Sequence, residues 1–82
     1  MPIYNKKSFL LPDSINSVAC YHGKIDETGI YKFTIHDCKS GIRLVGNLND
    51  KQKRREAPEK FRTLAKACLE FADFIENNYL TF

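Results

Sequence analysis

The stretch ACYHGKIDETGIYKFTIHD, residues 19–37, decides the fold. Its two halves alternate apolar and polar side chains on either side of Glu27-Thr28-Gly29, and a period of two is the signature of a strand. Gly29 suits the left-handed position of a three-residue hairpin loop with a bulge. A turn placed there pairs Ile25 with Tyr31, Gly23 with Phe33, Tyr21 with Ile35 and Ala19 with Asp37. Those mostly apolar residues then share one face. The opposite face carries Lys24, His22, Cys20 and Val18 across from Lys32, Thr34, His36 and Cys38. A slip of one residue would scramble both faces, so the register is strongly specified.

Outward from this hairpin, Asp37-Cys38-Lys39-Ser40-Gly41 reads as a second turn leading into Ile42–Leu48. Ile42, Leu44 and Leu48 are expected to face the core, with Arg43, Val45 and Asn47 on the outer face. Residues 16–48 therefore predict a three-stranded antiparallel meander. Upstream, Ile3, Tyr4 and Phe9-Leu10-Leu11 precede Pro12-Asp13-Ser14, which makes residues 1–14 an arm or edge strand ending in a turn. Downstream, Asn49 or Asp50 can cap a short basic connector over residues 50–56. Pro58 disfavours helical geometry at Ala57, so a break is expected there before a long helix over residues 58–80. The fold class is α+β, a single domain spanning 1–82 in the order β-β-β-α. That order of elements is similar to the one in plant AP2-type domains and in the arm-binding domains of tyrosine recombinases. Their Arg- and Trp-rich strand signature is missing, the chain has no Trp, and the residues identify no family.

The helix is too apolar for one sheet to cover. At about 100° per residue, the apolar residues from Phe61 to Leu80 span roughly 240° of its circumference, whereas a surface helix shows a stripe little wider than about 100°. Cys68 falls in the centre of that stripe and is expected in the core. Leu69 and Leu80, or Ala67 and Phe74, lie at opposite edges and are expected to face a partner. A second copy is the simplest partner, because one self-complementary surface then serves both chains.

Eighty-two residues allow one domain with a small core. The net charge of +3 is mild, but residues 41–63 carry seven bases against three acids. The basic centre is Lys51, Lys53, Arg54 and Arg55. The first residues lack the apolar h-region of an export signal, and no run approaches the roughly 20 apolar residues of a membrane span. Three cysteines are an odd number for a secreted mini-domain, so reduced thiols and a cytoplasmic location are expected.

Few groupings could carry chemistry. Cys20, His22, His36 and Cys38 are zinc-ligand types on one face, but ligands spread along two paired strands form a near-planar patch and zinc wants a tetrahedron. No metal or other cofactor is expected. Cys20 beside His36 has the makings of a thiol–imidazole pair, yet no Gly-rich oxyanion loop accompanies it. No catalytic residue, small-molecule substrate or enzymatic activity is expected. The expectation is a small interaction module, a regulator or inhibitor that binds protein through its helix, with Leu69, Phe74 and Leu80 at the interface and a homodimer as its state. The alternative is a nucleic-acid binder that uses Lys24, Lys32 and Arg43 on the outer sheet face together with Lys51, Lys53, Arg54 and Arg55.

Overall fold

A computed structural model of the chain describes residues 2–13, 18–37 and 40–80. Four strands, β1 (Tyr4–Phe9), β2 (Cys20–Ile25), β3 (Ile30–Asp37) and β4 (Ser40–Asn47), precede one helix, α1 (Lys51–Ile75), which ends in a single π-helical turn over Glu76–Leu80. The strands pair antiparallel in the order β1-β2-β3-β4. The predicted β2–β3 register holds from Cys20 opposite His36 to Ile25 opposite Tyr31. The segment expected as an arm or edge is a full strand, with Tyr4 opposite Ile25 and Phe9 opposite Cys20. The sheet thus has four strands rather than three. Polar Asn5-Lys6-Lys7 hides this in the sequence, and lysines on an outermost strand are a common guard against edge-to-edge association.

The β2–β3 turn forms as its residues dictate. Gly29 sits at φ 83°, a conformation that residues with a Cβ rarely adopt. Asp26 organises the loop: its Oδ1 accepts from the Thr28 amide at 2.9 Å, the Thr28 hydroxyl at 2.5 Å and the Ile30 amide at 3.2 Å. The largest influence, the Thr28 hydroxyl bond, holds the Asp26 carboxyl below its ordinary value of 3.8. This hairpin is tied to the start of the helix. The Leu48 amide donates to the Gly29 carbonyl at 2.8 Å, and the Asn49 side-chain amide donates to the Thr28 carbonyl.

The helix begins seven residues earlier than expected. Asp50 is its N-cap, accepting from the Lys53 amide at 3.1 Å, so residues 51–56 are helical turns and not a connector. No break occurs at Ala57, which is helical and buried. Pro58 lies inside the helix and leaves the Arg54 carbonyl without its usual amide partner. Packing of Ala57 and Phe61 on the sheet outweighs that local preference.

Tyr31 is the centre of the core, which is small. Phe61 meets Tyr31 edge-on at 5.5 Å between ring centroids and Phe33 at 5.3 Å. Tyr21 stacks beside Phe33 at 6.1 Å. Lys60 crosses the Tyr31 ring at 4.9 Å and donates to its hydroxyl. The helix therefore runs along β3 in the same direction, from Tyr31 past Phe33 towards Ile35. Among the described apolar residues only Ala19, Tyr31 and Ala57 are buried. Ile42 has the predicted inward parity but is 64% exposed, because the helix axis passes over β3 and leaves that end of β4 bare. Cys68, expected in the core, is exposed. It lies beside Leu10, Tyr21 and Ile35, at the last stretch of sheet beneath the helix.

Candidate interaction surfaces

The helix outruns the sheet, and this builds the first surface. Its 25 residues span about 37 Å at 1.5 Å each, whereas the eight residues of β3 span about 26 Å. Beyond Cys68 the helix has no described strand under it. The side that packs on Tyr31 through Ala57, Phe61 and Leu64 continues into Phe71, Ile75 and Tyr79, all exposed. Leu69 and Phe74 lie on the flanks of that stripe and are 67% and 58% exposed, and Leu80 is 69% exposed. The three expected interface residues are thus open. Phe71, Ile75 and Tyr79 join them, read from sequence as apolar stripe but not as interface, since where the sheet ends is a property of the packed structure.

The total exposure is large for the mass. A folded monomer of 9.5 kDa should expose about 5,000 Å² by the usual scaling of area with mass. This chain exposes 7,087 Å². Its radius of gyration is 15.4 Å, against about 12 Å for a compact chain of this length.

The outer sheet face forms the second surface. Strand parity puts Asn5, Lys7 and Phe9 of β1 on the same face as Cys20, His22 and Lys24, Lys32, Thr34 and His36, and Arg43 and Val45. Lys24, Lys32 and Arg43 therefore share a face as expected. Lys7 and Asn5 join them from β1, the segment expected as an arm or edge strand. His22 Nε2 lies 2.6 Å from Asn5 Oδ1, a bond across β1 and β2.

The basic helix start does not belong to that face. Lys53 lines a recess with Tyr31, Gly46 and Ala57, and Arg54 lines another with Ile25 and Leu48. Apart from Val45, which also borders the first recess, these neighbours are on the helix side of the sheet. Lys51 and Arg55 are exposed on the same two turns. The seven cations grouped from the sequence thus separate into an outer-face set and a helix-start set, because the chain turns onto the inner face at Asp50.

The cysteine–histidine group is only partly described. Cys20 and His36 stand opposite each other in the β2–β3 register, while Cys38 lies outside the described residues. Among the described residues no three His, Cys, Asp or Glu side chains converge as metal ligands would. No described helix is long and apolar enough to cross a membrane. Comparisons of the chain with protein-family models, with curated proteins and with solved structures give no match.

Proposed function

We propose that the protein is a small interaction module that works as a homodimer, a regulator or inhibitor acting by contact rather than by catalysis. The observation that carries this reading is the roughly 2,000 Å² of surface beyond that of a compact monomer of this mass. Two chains that each bury that amount form an interface within the 2,000–5,000 Å² range of obligate dimers. The helix stripe of Leu69, Phe71, Phe74, Ile75, Tyr79 and Leu80 is the apolar part available to bury. Pairing it with its own copy about a two-fold axis satisfies both chains at once.

The test is the light-scattering mass of the full chain at 0.1 M and 0.5 M salt, for the wild type and for Phe74→Glu. The wild type is expected at twice 9.5 kDa at both salts, since apolar burial is little screened. Phe74→Glu is expected to be monomeric with its circular dichroism retained, because Phe74 is 58% exposed. A folded wild-type monomer at high micromolar concentration overturns the homodimer. A mass of 9.5 kDa that shifts only on adding another protein assigns the stripe to that protein instead.

A further inference from the structure

We infer that the outer face of the sheet binds B-form DNA, with the strands laid along the major groove. This does not rest on dimerisation, since the face lies on the side of the sheet opposite the helix.

Charge is the first support. Lys7, Lys24, Lys32 and Arg43 are all exposed on this face, one from each strand. None of the outer-face positions of β1 to β4 is Asp or Glu. Four cations on the strands, with Asp26 beside Lys24 only at the hairpin end, suit phosphates, which such side chains bind while counterions leave. The second support is a local conflict. Lys24 stands directly opposite Lys32, and like charges in a cross-strand pair destabilise a sheet. Positions that break a local rule in this way are where function is to be sought.

Geometry selects the nucleic acid. Lys7, His22, Thr34 and Arg43 form one row across all four strands. The row places cations at its two ends and hydrogen-bonding side chains in its middle. Three strand spacings separate the ends by about 14 Å, close to the roughly 12 Å width of the B-DNA major groove. Lys7 and Arg43 therefore reach phosphates on the two sides of the groove, with Thr34 and His22, the latter held by Asn5, lying over the groove between them. The deep, narrow major groove of A-form RNA does not admit such a row. Single strands call for a platform of several aromatic rings, and of the described Phe and Tyr strand residues this face offers Phe9 alone, while Tyr21, Tyr31 and Phe33 are on the other face.

The experiment is fluorescence anisotropy of a labelled mixed-sequence 20-base-pair DNA duplex with the full chain, at salt from 50 to 200 mM. Four phosphate contacts predict a log–log salt slope near −3.6, or about 10²-fold weaker binding across that range. Lys7→Ala with Arg43→Ala is expected to reduce the slope by about two, whereas Lys53→Ala with Arg54→Ala leaves it unchanged. Lys32→Glu puts a carboxylate opposite Lys24, so it is expected to abolish DNA binding and raise Tm by a few degrees. That pairing of lost binding with gained stability separates a binding role from misfolding. Four results overturn the inference: no binding at 50 mM salt, equal affinity for an RNA duplex or for heparin, loss of binding confined to the Lys53 and Arg54 variants, and unimpaired binding by Lys32→Glu.

Discussion

Tyr31 is where strand, helix and charge meet, and two glycines decide how it can. Its ring lies across Gly46 of β4, so that a Cβ added there would collide with the ring's Cε2, Cζ and hydroxyl. Gly46→Ala is therefore expected to cost about 1–3 kcal/mol, the usual penalty of overpacking, read as a lower midpoint in urea; an unchanged midpoint would show that the ring swings aside freely. Gly29 answers a different need, its positive φ. Beside it, Asp26 gives an acid-sensitive contribution. Its carboxyl is held below the ordinary 3.8, first by the Thr28 hydroxyl bond. A depressed folded value means that the stabilisation is present above the unfolded pKa and lost as pH falls through the folded one. Asp26→Ala should thus lower Tm at neutral pH, and its gap to the wild type should close as pH drops below about 3.8. A gap that persists at pH 2 would assign the effect to loop shape instead of charge.

At the scale of elements, the sequence spoke most clearly where two independent signals agreed. Alternation and the Gly29 turn together specify the β2–β3 register, and every predicted pair from Cys20–His36 to Ile25–Tyr31 is present. The N-terminal strand was harder to read, because Asn5-Lys6-Lys7 presents polar side chains on both faces and pairing with β2 is a tertiary event. The helix start differs from the local expectation for a related reason. The bias of a residue preceding proline is local, and burial of Ala57 beneath Tyr31 overrides it. Of the surfaces, the apolar excess of the helix is visible in its periodicity and His22, Thr34 and Arg43 of the outer-face row in their alternation, while Lys7 becomes part of that row only once β1 is paired. Pro58 still carries its intrinsic cost. Pro58→Ala restores the amide that the Arg54 carbonyl lacks, and a gain of up to about 3 kcal/mol is expected. Thermal denaturation checks this, and a fall in Tm would mean that a bend at Pro58 is needed to seat Phe61.

For the whole molecule, the surfaces on either side of the sheet differ in kind, one apolar and one cationic. If the apolar one joins two copies, folding and association are linked, and Tm rises with protein concentration. A tenfold increase in concentration is expected to raise the wild-type midpoint measurably and to leave that of Phe74→Glu unchanged; a midpoint indifferent to concentration in both argues for independent monomers. The strand order bears on another property. Because β1, β2, β3 and β4 pair only with chain neighbours, each ladder can close as soon as its two strands exist, and loop-closure entropy stays low. The helix, which supplies the cover for Tyr31 and Phe33, comes later in the chain than all four strands. On a ribosome the sheet could zip up with its aromatic face still bare, so the interval before the helix emerges is when this protein most needs a chaperone.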